Sequence, residues 1–470
     1  MLPIYHTFST TKNQHYVYDL TSNSILKISE KLFNFLNNHD SNLAEDKEFQ
    51  KLQSKGFLLP PVSYETKHYL SESVEELLAT NLRMLTLQVT QACNLRCSYC
   101  VYGGNYSTRT HSNERMSREI AFKAIDFFVS HSGNTPILNL AFYGGEPLLE
   151  FSLIKDCVRY IQDKAPSKQI LFNMTTNGTL FTEDVLEFCI ENHISPTFSL
   201  DGPELIHDAN RKYPNGKGSF NDVIRAIQMV NSHPRKNEIN YFLSVVGNPT
   251  NNYWEYSDFF TNHPLLKDIP INFNVVSSVG IKEKPSFDRK YYDEQEYCKS
   301  IYMLCLLGKI PENQASKLAK FQFERIISLH KKLKKSFKGG KVAQHSGPCV
   351  PGRNKLFVNV FGDFFPCEKV SETSPAMCIG NLSTGFDFDK IRADMNLGQL
   401  TEQECKNCWA FRFCNNCMLF ANGGDRLSRD ALLTECPNIK LAIHKDLLEY
   451  CVLREHGFDF DKVELKNYER

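Results

Sequence analysis

The chain has no uninterrupted apolar run of about 18 residues, so no segment reads as a membrane-spanning helix. It has no excess of charge: 54 Lys and Arg balance 54 Asp and Glu, leaving no net field to attract nucleic acid or an anionic membrane. The opening stretch, MLPIYHTFSTTKNQHYVYDL, lacks the basic start, apolar stretch and small-residue cleavage site of a secretory signal, which points to the cytoplasm. Internal repeats and low-complexity tracts are absent too. Against these absences stands one excess, 16 cysteines in 470 residues. In a reducing compartment such a count argues for metal ligation or catalysis rather than disulfides.

The length calls for several domains. Residues 15–29 read as strand, turn and strand, with turn chemistry at Thr21–Ser24, and two short amphipathic helical patterns lead to Pro60-Pro61. The stretch 62–82 is polar and reads as linker with one helix. From 83 onward strand patterns (RMLTLQVT, PILNLAFYG, ILFNMTTNG, PTFSLDG, EINYFLSVVG, INFNVV) alternate with helical ones. That order predicts an α/β fold with a mostly parallel sheet and chemistry at the C-terminal ends of its strands. A helical stretch at 311–338 leads to KGGK, read as a boundary. The C-terminal remainder is rich in cysteine and aromatics and poor in long periodic segments, as expected of a unit held by metal.

Cys93, Cys97 and Cys100 lie in QACNLRCSYC, directly after the first strand of the alternating region. No fourth cysteine is near. Thiolates in a cytosolic protein suit zinc or iron–sulfur, and the spacing alone leaves both open. YGGEP ends the second strand, with Gly144, Gly145, Glu146 and Pro147; TTNG carries Asn177, SLDG carries Ser199 and Asp201, and Arg211 comes next in HDANRK. Each of these alone is an ordinary turn or surface residue. In the C-terminal part, Cys349 and Cys367 flank Gly362, CKNCWAFRFCNNC supplies Cys405, Cys408, Cys414 and Cys417, and Cys436 stands nineteen positions further on. Seven cysteines in about ninety residues, with two C-x2-C pairs, are a strong metal signal, for which a pair of zinc knuckles is the alternative reading. Cys157 and Cys189 fall on helical patterns and read as core residues.

Taken together, C-x3-C-x2-C with Tyr99 before its last cysteine, followed by strand-end motifs, resembles the radical S-adenosylmethionine (SAM) enzymes over roughly residues 83–300. The resemblance implies a partial (β/α)6 TIM-like barrel whose three cysteines hold a [4Fe–4S] cluster. The cluster's open iron would bind SAM, and reductive cleavage of SAM would give a radical that abstracts hydrogen from substrate. By the same resemblance YGGEP contacts the amino group of SAM, Ser199 the ribose region, Asn177 and Asp201 line the site, and Arg211 pairs with a carboxylate. The C-terminal array resembles the SPASM extension, except that Cys414 and Cys417 are separated by two residues where that pattern has three. It implies two auxiliary [4Fe–4S] clusters. Cys405, Cys408, Cys414 and Cys436 would hold one; Cys349, Cys367 and Cys417 would hold the other, with an open iron or with Cys378. Glu368 falls where sulfatase-maturing relatives carry a general base.

The N-terminal segment resembles winged-helix-like elements that recognise the leader of a ribosomally made peptide as an added strand. The expected organisation is therefore recognition domain and linker over 1–80, barrel over 81–340 and SPASM domain over 341–470. Its resemblance is to maturases that form thioether crosslinks in precursor peptides, supplied with electrons by a flavodoxin- or ferredoxin-type donor. Carbon–carbon crosslinking, epimerisation, formylglycine formation, and a non-enzymatic zinc-knuckle scaffold are the alternatives.

Overall fold

The computed structural model describes residues 2–463 except 39–40, 62, 110, 251, 278, 284–287, 336–341, 346 and 348. The chain begins with an antiparallel sheet in the order β1 (Tyr5–Ser9), β2 (His15–Asp19), β3 (Ser24–Ile28). β1 precedes the two strands expected from the sequence. The β2–β3 turn is built by Asp19, whose carboxylate accepts from Thr21 N (3.1 Å), Ser22 N (3.3 Å) and Leu58 N (3.0 Å). One face of this sheet carries helices Glu30–Asn38 and Lys47–Ser54, closing a small core of Val17, Ile28, Leu32, Leu36, Phe49 and Leu58. The opposite face contributes Phe8, Tyr18 and Leu20 to the main core of the molecule. Strand alternation sends the two sets of side chains to the two faces.

The segment read as linker is tied down. β4 (Glu65–Thr66) pairs in parallel with β11 (Val342–Ala343), and Asn396 accepts from His68 N (2.8 Å) and Ser71 Oγ (3.0 Å).

Six strands then run parallel in chain order: β5 (Met84–Thr90), β6 (Ile137–Gly144), β7 (Gln169–Thr176), β8 (Ile194–Ser199), β9 (Phe242–Gly247) and β10 (Ile271–Val275). The helices between them include Arg118–Ser130, Phe151–Lys164, Glu183–Glu191 and Phe220–Ser232. Their starts obey local chemistry: Ser117 accepts from Ile120 N and Thr182 from Val185 N, satisfying donors that a helix N-terminus leaves open. This is the α/β partial-barrel fold. All of its parallel strands direct their C-terminal ends to one side, which is where every strand-end motif lies.

The sheet does not stop at the expected boundary. β12 (Leu356–Val358) pairs in parallel with β5, and β13 (Asp363–Phe365), β14 (Gly380–Asn381) and β15 (Gly385–Phe386) continue antiparallel, giving ten strands among the described residues. The cysteine-rich unit is thus welded to the strand that precedes the three-cysteine loop. KGGK, at 338–341, lies outside the described residues. One expectation for this unit is corrected: a 20-residue helix, Cys436–Glu455, closes it. Its pattern is hard to read because it packs on several neighbours, including β1 and helix Lys317–Leu333, so no single apolar stripe develops. Cys157 and Cys189 are buried core residues, as expected from their helical patterns.

Candidate functional site

β5 and β6 end side by side, with Thr90 opposite Gly144. Gly145 N donates to Thr90 O and Glu146 N to Ala92 O, both at 2.9 Å, so YGGEP lies against the entry to the cysteine loop. A Cβ on Gly144 or Gly145 would sit 2.1 Å from those same carbonyl oxygens, and Gly144 has φ +143. Only glycine permits this approach. Glu146 is fully buried and accepts from Leu148 N (3.0 Å), Thr176 Oγ1 (2.8 Å) and Asn177 N (2.8 Å). It therefore clamps the end of β6 to the end of β7. Burial pushes its carboxyl pKa up, and those hydrogen bonds oppose the shift. Pro147, also buried, opens the short 3₁₀ turn beyond it.

Beyond β7, Asn177 Nδ2 reaches Asn94 Oδ1 (2.9 Å) and stands 3.8 Å from Cys93 Sγ, while Leu95 N donates to the same sulfur at 3.4 Å. From the end of β8, Asp201 Oδ1 accepts from Val246 N (3.1 Å); its Oδ2 takes Arg211 Nε (2.8 Å) and the Tyr99 hydroxyl. Arg211 lies over the Tyr99 ring at 5.4 Å, and its Nη1 is 4.0 Å from Cys97 Sγ. His207 supports this group: its Nδ1 accepts from Asp201 N (3.2 Å), its Nε2 meets Ser219 Oγ (3.0 Å), and Ser219 Oγ donates to Arg211 O (2.9 Å). Buried among these, His207 has its pKa lowered to about 4 and is neutral. Ser199 ends β8, almost wholly buried, beside its register partner Ser244. The structure thus gathers Tyr99, Gly144, Gly145, Glu146, Asn177, Asp201 and Arg211 around Cys93 and Cys97.

Desolvation pushes Cys93 up to about 12 and Cys97 up to about 11, the latter opposed by Arg211; Cys100 is raised by burial as well. Bare, these thiols stay protonated. Amide donors at Cys93 and a guanidinium at Cys97 favour the thiolate once a positive centre offsets the burial. Three such thiols on one loop fit an iron–sulfur cluster in donor chemistry. Among the described residues no three His, Cys, Asp or Glu groups gather closely enough to hold one metal ion, so the fit rests on that chemistry and not on a preformed cage.

In the C-terminal unit, Cys405, Cys408, Cys414 and Cys436 line one cavity of about 130 Å3, together with His345, Thr401 and Asn416. Thr401 Oγ1 lies 3.2 Å from Cys405 Sγ, and Cys436 is the first residue of the closing helix, where the dipole favours an anion. Cys349, Cys367 and Cys417 form a second group whose thiols act on one another electrostatically. Cys378 packs in the same apolar cluster as Cys367, its Sγ donating to Gly380 O at 3.3 Å. Glu368 is bound through both carboxylate oxygens to Lys355 Nζ (3.0 and 2.8 Å). Burial raises its pKa, but Lys355 outweighs this and holds it below the usual range.

Two features escaped sequence reading. One is a buried ion pair, Arg109 Nε to Glu372 Oε1 at 2.5 Å, with Arg109 5.5 Å from both the Tyr102 and Phe357 rings. Gln88 Nε2 donates to Glu372 Oε1 and Tyr102 OH, both at 2.8 Å, and its Oε1 accepts from Val360 N (3.1 Å). This network binds the cysteine loop to the C-terminal unit. Gln88, a polar residue within a strand pattern of apolar character, was its one legible signal. The other is the seat of the N-terminal sheet. His6 stacks on Trp409 (3.8 Å), Tyr18 meets Phe413 (5.0 Å), and Arg412 donates to Leu20 O (2.9 Å) and Thr21 O (3.2 Å). All three partners lie between Cys408 and Cys414.

Residues 87–260 match the family described as the Radical SAM superfamily. Over that stretch the chain is similar to radical SAM domains. Such a domain uses a [4Fe–4S] cluster and SAM. The chain is 29% identical over 334 residues to an uncharacterized protein, MJ0907, of Methanocaldococcus jannaschii, covering 71% of this chain and 96% of that protein. It is 26% identical over 371 residues to a cysteine-type anaerobic sulfatase-maturating enzyme of Clostridium perfringens, covering 74% and 90%. The solved structure of native anSMEcpe with bound AdoMet shares the fold of this chain, with a TM-score of 0.59 at 21% identity over 81% of this chain and all of that one. Among the described residues, no helix is long and apolar enough to cross a membrane.

Proposed function

We propose that this protein is a radical SAM maturase that modifies a ribosomally made peptide, joining a peptide cysteine to an acceptor carbon as a thioether. The observation that carries the reading is the joining of three parts through β5 and its neighbours: a three-cysteine loop, a cysteine-rich unit on the same sheet, and an N-terminal sheet seated on that unit. In this reading residues 1–80 recognise the leader, 81–340 form the barrel and 341–470 the SPASM unit. The protein works in the cytoplasm with a flavodoxin- or ferredoxin-type donor.

Cys93, Cys97 and Cys100 hold the SAM-binding cluster; Cys405, Cys408, Cys414 and Cys436 hold one auxiliary cluster, and Cys349, Cys367 and Cys417 the other. When bound, these groups supply one-electron cleavage of SAM and a sink for the electrons lost by the peptide. The chain's residues orient and shield. The glycine pair brings backbone to the ligand, Asn177 and Arg211 place hydrogen-bond donors at the thiolates, and Ser199 faces the ribose. Glu368, kept ionised by Lys355, accepts the proton released by the substrate.

A second reading is favoured by the relatives. The C. perfringens protein is a cysteine-type sulfatase-maturating enzyme, and one of Bacteroides thetaiotaomicron, 32% identical over 33% of this chain and 38% of its own length, is serine-type. Formylglycine formation on a protein side chain would use the same site. Mass spectrometry of the peptide encoded nearest the gene, after anaerobic co-expression, separates the two. A thioether costs two hydrogens and consumes a cysteine thiol, which iodoacetamide then fails to label; formylglycine loses the sulfur when made from cysteine and leaves every peptide thiol open to labelling when made from serine. An unmodified peptide, with SAM left intact, would refute both.

A further inference from the structure

Asn416 lies between Cys414 and Cys417, cysteines of two different groups, and it is held on three sides. Its backbone N–H donates to the Cys414 sulfur, opposing the burial that pushes that thiol up to about 12. Its side-chain Nδ2 donates to Leu432 O (2.8 Å), a carbonyl that Cys436 Sγ also approaches, at 3.9 Å. Its own carbonyl accepts from His345 Nε2 (3.0 Å). His345 and Asn416 are 4% and 3% exposed, and both line the cavity of Cys405, Cys408, Cys414 and Cys436. Gly347 closes over their bond: a Cβ there would lie 2.0 Å from Asn416 O and 2.8 Å from His345 Nε2. A carbonyl only accepts, so the ring proton is on Nε2 and Nδ1 carries a lone pair. Among the described residues that buried Nδ1 has no partner, and burial lowers the pKa of the ring, which is neutral. An acceptor buried without a donor is a cost that an apolar side chain of similar size would avoid. What the ring supplies in return is one bond, to the residue that joins the two cysteine groups.

We propose that His345 is a positioning residue that sets the reduction potential of the cluster held by Cys405, Cys408, Cys414 and Cys436. The proposal rests on the reading of these cysteines as iron–sulfur ligands and adds the residue that tunes one cluster. Four thiols around one cavity of about 130 Å3 fit such a group in donor chemistry. A hydrogen bond to a ligating sulfur favours the reduced, more negative cluster and so raises its potential. Here the donor is the N–H of Asn416, and its aim depends on where the carbonyl and side chain of that residue are anchored. Leu432 O holds the side chain and His345 holds the carbonyl. Asn416 is bonded directly to Cys417, because only two residues separate Cys414 from Cys417 where the SPASM pattern has three. The same anchor therefore fixes the link between the two groups. Without the His345 donor the carbonyl is free to turn, the N–H loosens from Cys414 Sγ and the potential falls.

The test uses the full chain, purified anaerobically with its iron, beside the variants H345F and H345Q. Phe keeps the volume of the ring without a donor, whereas the Gln amide can still donate to Asn416 O. Each protein is titrated with a reductant under electron paramagnetic resonance, and the variant lacking Cys93, Cys97 and Cys100 identifies the auxiliary signals. In H345F one auxiliary midpoint should fall by at least about 59 mV, a tenfold change in a one-electron equilibrium, with the SAM-binding cluster unchanged. H345Q should recover at least half of that shift. No shift in H345F, an equal shift in H345Q, or a shift that includes the SAM-binding cluster would each overturn the proposal. If H345F loses four of about twelve iron atoms, H345Q decides: full iron with unchanged midpoints supports the donor, and lost iron or a shifted midpoint overturns it. Peptide modification is measured on the same unchanged protein. Its absence alongside the shift defeats the maturase reading and leaves the proposal standing, and its presence without a shift defeats the proposal alone. Zinc in place of iron defeats both.

Discussion

Glu146 offers the sharpest test of how the strand ends are held. Replacing it by Ala removes the acceptor of three buried donors, Leu148 N, Thr176 Oγ1 and Asn177 N. The threonine hydroxyl can turn to another acceptor, but the two backbone N–H groups are fixed. Each stranded donor costs about 1–3 kcal/mol, so the substitution should cost about 2–6 kcal/mol locally. That is a large part of the roughly 5–15 kcal/mol that holds a domain together. E146Q keeps one carbonyl oxygen but turns an amino group toward a donor, and should cost about half as much. Native-state hydrogen exchange on ligand-free protein reads this directly. At about 1.4 kcal/mol per tenfold, the amides of Leu148 and Asn177 should exchange about 30-fold to about 20,000-fold faster in E146A. A side chain reserved for ligand would give another result: without SAM, removing a buried charge would leave exchange unchanged or slower. That outcome would refute the clamp.

Glu372→Ala should strand the Arg109 charge and lower stability by about 3–5 kcal/mol, while R109M/E372L recovers most of the loss; thermal unfolding of the three proteins checks this, and a single-variant loss below about 1 kcal/mol would contradict it. His207 has its pKa depressed to about 4 from an ordinary 6.5, so below 6.5 the unfolded chain takes up a proton that the folded chain refuses. Its contribution is complete above pH 6.5 and is lost as pH falls toward 4, by about 3 kcal/mol. Denaturant midpoints across that range should fall more steeply for the unchanged protein than for His207→Gln; parallel curves would refute the assignment. Arg412→Ala removes two charged hydrogen bonds to the β2–β3 turn and should speed limited proteolysis within the first 60 residues, whereas an unchanged cleavage rate would show that the stacked rings suffice.

Much of the barrel was legible because its signals are local. Alternating strand and helix patterns, Ser117 and Thr182 at helix starts, and short motifs at strand ends all act within a few residues of one another. The site residues were legible as types, but Glu146 shows the limit: its place beside a ligand can be read from the motif, whereas its bonds to Thr176 and Asn177 join segments thirty residues apart. Arg109 and Glu372, 263 positions apart, carry no pattern, because a buried ion pair is defined only by the packing that encloses it. The helix at Cys436–Glu455 was missed for the reason that it touches partners on several sides. Trp409, Arg412 and Phe413 read only as spacers between cysteines, although they seat the N-terminal sheet.

The most direct measurement of the central claim is anaerobic 5′-deoxyadenosine formation from SAM under dithionite, compared between the unchanged protein and a variant with Cys93, Cys97 and Cys100 all replaced by Ala. The unchanged protein should form it while carrying about twelve iron atoms, four in each of three clusters. The variant should form none while keeping about eight. Cleavage by the variant, or zinc in place of iron in the unchanged protein, would contradict the account.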